Sequence, residues 1–182
     1  MKLKRLIHTL GMNLQRGASA RGRYLKKHGI MAGVGDYVRF QPRMVPLYPE
    51  LIRLHNNIMI GAGVRLVTHD AAHTVLNRMG EEKFSEVVGC IEIMDNVFIG
   101  SDTTILMNVR IGSNVIIGAN SLVNRDCEPN SVYAGIPARR IGSFEDFVAK
   151  RRQGNLDTVA RNQNISEGEI RSIWQRFEEE KE

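Results

Sequence analysis

Residues 93–127 read IMDNVF IGSDTT ILMNVR IGSNVI IGANSL VNRDC when broken every six positions. The first column of this array is Ile93, Ile99, Ile105, Ile111, Ile117 and Val123, all β-branched aliphatics. Chance agreement at six chosen positions is roughly one in several thousand, so an internal repeat is the first reading to test. A second column lies four residues after the first: Val97, Thr103, Val109, Val115, Ser121 and Cys127, each small or β-branched. Steps of six do not stay on one face of a helix with 3.6 residues per turn. Ile, Val, Thr, Asn and Gly are also weak helix formers, whereas short extended pieces accept β-branched residues well. Each unit therefore reads as one short strand and one corner. Gly100, Gly112 and Gly118 follow repeat aliphatics, where a small residue lets the chain turn tightly. Stacked rungs bury a continuous apolar column that no single rung could bury, which makes the stretch a parallel β-helix.

The same rhythm appears earlier. Leu54, Ile60 and Leu66 are spaced by six, with Ile58 and Val64 in the second column, and Val34, Val38 and Phe40 fit a first coil. The step from Leu66 to Ile93 is not a multiple of six. A loop is therefore expected over about Val67 to Cys90, carrying His69, Asp70, His73, Arg78 and Lys83. Long loops in compact domains are more often functional or mobile than neutral.

At 182 residues the chain suits one domain with helical appendages. The expected organisation is an N-terminal helical segment over 1–30, a coil over 31–141 with the loop at about 67–90, and C-terminal helices over 142–182. The net charge of +5 invites an anionic partner such as a phosphorylated cofactor. The cations cluster in Lys2 to Lys27 and Arg139 to Arg152 with few aromatics between them, and no nucleic-acid motif is present, so nucleic acid is not expected. Cys90 and Cys127 make neither a disulfide framework nor a metal site. No stretch is long and apolar enough to span a membrane, and Leu3 to Leu14 is too broken for a signal sequence, so the expected location is cytoplasmic.

Leu3, Leu6, Ile7, Leu10 and Leu14 have helical spacing among Lys2, Lys4, Arg5 and Arg16. Two readings stand: a helix lying on a membrane surface, or, more simply, a helix packed on its own domain or a partner subunit. Gly11 and the Arg/Gly-rich stretch after it limit its length. Near the C-terminus, Ile170, Ile173, Trp174 and Phe177 share a helical face, and Ser166 with Glu169 forms a capping-box pattern. A shorter helix is expected over Phe144 to Arg152, with Gly154 separating the two.

The hexapeptide register, the histidine-bearing loop and the segment Val132-Tyr133-Ala134-Gly135-Ile136-Pro137-Ala138-Arg139 together resemble the left-handed β-helix acyltransferases. Within these the chain is similar to galactoside/maltose O-acetyltransferases and capsular-polysaccharide O-acetyltransferases. The resemblance covers roughly Val34 to Ile141. It implies a left-handed coil, acetyl-CoA as co-substrate, a sugar or glycan acceptor, no metal, and a homotrimer with active sites between subunits.

Acetyl transfer to a hydroxyl requires a base, donors for the oxyanion, and a held thioester. A histidine suits the first task because its ordinary pKa lies near neutrality. His69, in Thr68-His69-Asp70, stands where the resemblance places the catalytic histidine, with Asp70 a possible orienting group and His73 a rival base. Phe98-Ile99-Gly100-Ser101 resembles the segment in which an aromatic, often Trp, precedes a Ser at the cofactor's thiol end. Ile117-Gly118-Ala119-Asn120-Ser121 resembles the segment lining the pantetheine groove. Asn124 and Arg125 stand in place of a Thr-Lys pair near the cofactor, and Arg139 matches an arginine directed at the nucleotide phosphates, where charge-assisted bonds are strong. The cofactor-binding candidates are thus Ser101, Ala119, Asn124, Arg125 and Arg139. Gln41 to Pro49 does not match the family's sugar-binding residues, so the acceptor stays open. Three other readings stand beside this one: acetylation of an amine, a non-catalytic β-helix binding module, and a zinc enzyme of the γ-carbonic-anhydrase type. The last requires three histidines at one metal, a spacing that His55, His69 and His73 do not resemble.

Overall fold

The computed structural model describes residues 2–154 and 165–181. The chain falls into two compact units, Met1–Phe144 and Glu145–Glu182. In the first unit the hexapeptides wind around three parallel sheets. The first face stacks Gly33–Val34, Ile52–Leu54, Ile91–Ile93 and Val109–Ile111. The second stacks Arg39–Phe40, Ile58–Ile60, Val97–Ile99, Val115–Ile117 and Ser131–Ala134, with Arg139–Ser143 running antiparallel on its outer edge. The third stacks Arg65–Leu66, Thr104–Ile105 and Leu122–Val123. Consecutive strands move from face to face, so each strand pairs with the one a full turn later. Phe98 pairs with Ile116, for example.

Both sequence columns point inward. All six first-column residues are buried, and Val97, Thr103, Val109, Val115, Ser121 and Cys127 are buried with them. Leu54, Ile58, Ile60, Val64 and Leu66 extend the same core toward the N-terminus, ending on Val38 and Phe40. The open end there is closed by helix α2 (Ala18–Lys27), which buries Leu25, and by Met12 of helix α1 (Lys2–Asn13). Arg21 of α2 is also buried, and its Nε donates to the Phe40 carbonyl at 2.8 Å. A short helix α3 (His73–Leu76) lies in the extruded loop. Helix α4 (Phe144–Gly154) continues through Gly154 itself, and residues 155–164 lie outside the described residues. Helix α5 (Glu167–Glu179) starts on the reciprocal Ser166–Glu169 capping box.

The corners correct one expectation. Gly100, Gly112 and Gly118 are not the residues that make the turn, because none has a positive φ. The left-handed residue instead stands just before the second column, at Asn96, Asp102, Asn108, Asn114 and Asn120, with φ of 54–60°. Asn and Asp tolerate this region better than other side chains. The glycines answer a different need, since a Cβ on Gly100 would sit 2.4 Å from the Ala119 nitrogen of the next turn. They are places of close coil-to-coil approach.

Along the edge joining the first and second faces, these asparagines form a ladder. Nδ2 of Asn57 donates to Oδ1 of Asn96 at 2.8 Å, Asn96 donates likewise to Asn114 at 2.9 Å, and Asn114 to Asn130 at 2.8 Å. Asn114→Ala should cost about 2 kcal/mol, combining left-handed strain with two lost hydrogen bonds. Asn114→Gly should recover roughly half of that, since glycine adopts the turn freely. Urea unfolding of the two variants checks the order.

On the outside of the first face, Arg53, Glu92 and Arg110 stand in register. Glu92 takes hydrogen bonds from His55 Nε2 at 3.1 Å, Arg53 Nη1 at 3.1 Å and Arg110 Nε at 2.8 Å. Its carboxyl is lowered from 4.5 to about 2, chiefly by the His55 hydrogen bond, with Arg110 and Arg53 adding to it and burial opposing. The folded-state value is depressed, so the stability it lends is fully present above pH 4.5 and drains as pH falls toward 2. Glu92→Gln should therefore flatten the stability–pH curve across that window, as measured by urea midpoints at pH 6 and pH 3.

Candidate active site

The loop leaves the coil at the edge joining the third and first faces. Its size follows from the ladder: Asn57 and Asn96 are 39 residues apart, whereas Asn96 and Asn114, one plain turn apart, are separated by 18. The neck of the loop is a two-residue antiparallel pairing, His69 with Val88 and Asp70 with Val87. It is anchored from below by buried Thr68, whose Oγ1 donates to the Leu47 carbonyl at 2.6 Å and whose carbonyl accepts from Gly89 N at 2.9 Å.

His69 is half-buried at this neck. The Tyr48 ring meets the imidazole edge-on, with ring centroids 5.8 Å apart. Tyr48 is itself held in the left-handed region (φ 50°) and donates its hydroxyl to Glu86 Oε2 at 2.6 Å. That hydrogen bond is the main reason the Tyr48 phenol is raised above its ordinary pKa. Tyr48 thus fixes one side of the His69 ring. Asp70 does not turn to the imidazole: its Oδ1 accepts from the Ala72 N–H and closes the turn leading into α3. His69 Nδ1 is buried without a hydrogen-bond partner among the described residues, and so is Nδ1 of His73. Tyr48 and Glu86 had not been singled out from the sequence.

The remaining candidates lie on two edges. Ser101 and Ala119 stack one turn apart on the edge joining the second and third faces, linked where Asn120 N donates to the Ser101 carbonyl at 2.8 Å. This edge is lined by small residues. Gly61 packs against Ser101, Gly100 against Ala119, and Gly118 against Ala134, all closely enough to leave little room for a Cβ. Ser101 and Ala119 are exposed along it. At its far end the chain turns through Gly135 and a cis Ile136–Pro137 bond. Ala138 N then donates to the Leu122 carbonyl, which places exposed Arg139 at the end of the same edge. Asn124 and Arg125, also exposed, belong instead to the loop's edge, beyond Leu106 to Asn108. One chain therefore presents His69, Asn124 and Arg125 along one edge and Ser101, Ala119 and Arg139 along the next. The third face, with Arg65, Thr104 and Leu122 in register on its outside, lies between.

Chemically, the small-residue edge offers exposed backbone and a flat bed for a slender amide-bearing arm, with an arginine at its end for phosphate. The loop edge offers a held imidazole. Among the described residues, no group of three His, Cys, Asp or Glu could hold a metal ion.

Residues 90–125 match the bacterial transferase hexapeptide (six repeats) family, so this stretch carries a hexapeptide-repeat domain. It is 36% identical over 119 residues to the galactoside O-acetyltransferase of Escherichia coli K12, covering 64% of this chain and 55% of that protein. Across the first curated relatives, the match spans 45–65% of their length. Among solved structures, a hexapeptide-repeat acetyltransferase from Vibrio cholerae superposes with a TM-score of 0.61 at 21% identity, over 78% of this chain and 89% of that one. A galactoside acetyltransferase in complex with coenzyme A superposes with a TM-score of 0.59 at 26% identity, over 81% and 82%.

Proposed function

We propose that the chain is an acetyl-CoA-dependent O-acetyltransferase that acylates a hydroxyl of a sugar or glycan, with His69 as general base. The observation that carries this reading is the clasped placement of His69 at the neck of the extruded loop on one edge of the coil, together with a second edge, across the third face, that is lined by small residues and ends in Arg139. The coil is left-handed, in keeping with its likeness to the galactoside acetyltransferase structure.

In the reaction, the imidazole takes the proton of the acceptor hydroxyl as its oxygen attacks the thioester carbonyl. The tetrahedral oxyanion is held by N–H or hydroxyl donors at the edge, Ser101 being the candidate side chain. The intermediate collapses, the C–S bond breaks, and the imidazolium returns its proton to the leaving thiolate. Ser101 and Ala119 hold the pantetheine arm, and Arg139 faces the nucleotide phosphates.

The split between two edges supports a site shared between subunits. A base and its target must come within about 3–3.5 Å. A prism side of one hexapeptide is on the order of 15 Å across. Two edges of one chain therefore do not make one site, whereas the loop edge of one copy set against the small-residue edge of another does. The reading is a homotrimer, with Asn124 and Arg125 reaching across to the cofactor of the neighbouring edge.

The test is thiol release from acetyl-CoA across a panel of sugars, amino sugars and nucleotide sugars. Release with hydroxyl acceptors is expected. Release with amines alone would move the reaction to N-acetylation, and absence of both turnover and acetyl-CoA binding would leave a binding module instead.

A further inference from the structure

We infer that α1 is a peripheral attachment device for an anionic lipid bilayer. The helix packs on the coil through its less apolar side. Met12 is fully buried, Arg5 Nε donates to the Val45 carbonyl at 2.9 Å, and Asn13 Nδ2 donates to the Arg43 carbonyl at 2.8 Å. The leucine stripe lies on the opposite side. Leu3 is 70% exposed, Leu6 54%, Ile7 56%, Leu10 58% and Leu14 82%. A helix on a soluble domain normally turns its apolar stripe to the core. Here five large aliphatics at helical spacing turn outward while the helix is pinned from behind.

Charge selects the occupant. Residues 1–35 contain eight Lys or Arg and no Asp or Glu, and the first carboxylate in the chain is Asp36. The whole chain is only +5, so everything after this segment is net negative. Lys4, Arg16, Arg23 and Lys27 are exposed around the α1–α2 pair, while Lys26 is the one in this segment that pairs with a carboxylate among the described residues. An apolar stripe on a segment whose own charges are all cationic matches an interfacial helix on anionic headgroups. A second copy of α1 would instead bring cations together with no carboxylate to separate them. The stripe is too short to cross a bilayer, and none of the described helices qualifies as a span. This inference is independent of the acetyl-transfer reading.

The test is co-sedimentation of the full chain with vesicles of phosphatidylcholine alone, or of phosphatidylcholine with about a third phosphatidylglycerol, at low and high salt. Partitioning to the anionic vesicles should exceed that to neutral ones by about tenfold or more and fall with salt. Leu6→Gln with Leu10→Gln should abolish it, with the unfolding midpoint unchanged because both side chains are solvent-facing. Equal partitioning to both vesicle types, or none, overturns the proposal. So does a lipid-free change of sedimentation state in the double variant, which would show that the stripe is covered by another copy.

Discussion

His69→Ala should lower turnover by about two to four orders of magnitude while leaving the coil intact. The side chain is half-buried at the loop neck and contributes to neither inward column, so the unfolding midpoint should move little. Acetyl-CoA binding should also survive, because the substitution leaves all the cofactor candidates in place: Ser101, Ala119 and Arg139 on a different edge, and Asn124 and Arg125 on the loop's own edge. The variant therefore separates chemistry from binding: kcat falls and cofactor affinity holds. Turnover within a factor of a few of the parent enzyme would remove His69 as base and bring His73 forward. Tyr48→Phe sharpens the comparison, since it keeps the ring that faces His69 and deletes the hydroxyl that ties Tyr48 to Glu86. If that tie positions the imidazole, kcat should fall by about tenfold with KM for acetyl-CoA unchanged.

Gly100→Ala carries a large expected effect on stability. The added Cβ would stand 2.4 Å from Ala119 N and 2.6 Å from Ala119 Cα, both backbone atoms of the adjacent turn. Stacked strands hold a spacing of about 4.8 Å, and neither turn can yield without pulling its own strand out of register. A cost of about 3 kcal/mol and a drop in Tm of about 10 °C are expected. Gly142→Ala is the control: a Cβ there meets nothing within 4 Å, and its effect should stay within about 0.5 kcal/mol. Because the forced movement falls on Ala119, the Gly100 variant should also raise KM for acetyl-CoA. A normal KM in a destabilised Gly100→Ala protein would argue against Ala119 lining the cofactor.

The coil was legible because its strongest energetic term, burial of aliphatics, repeats every six residues. Ile93 to Val123 and the weaker Leu54 to Leu66 series both read directly into buried columns. The loop was legible as the break in phase between them. The turn residues were not read, although Asn96, Asn108, Asn114 and Asn120 keep the six-residue spacing. Glycine was credited with the corner because it is the usual left-handed residue, whereas here it serves close approach and asparagine makes the turn. Tyr48 and Glu86 were invisible for another reason. Their relation to His69 exists only once the coil has brought Gln41 to Pro49 beneath the loop, and no local spacing encodes that. The outward stripe of α1 was half-read: the helix was expected, but periodicity alone does not say which side of a helix faces the protein.

The loop interrupts one turn and the coil resumes in phase, with Leu54 beside Ile93 and Ile60 beside Ile99. Its ends are drawn together by the short antiparallel neck, so lengthening it adds only a slowly growing entropy of closure. The segment between Asp70 and Val87 is thus a cassette, replaceable in length and content without renegotiating the stack above or below it. A scaffold of this kind can change what surrounds His69 by rewriting one excursion while the repeat that carries its stability stays as it is.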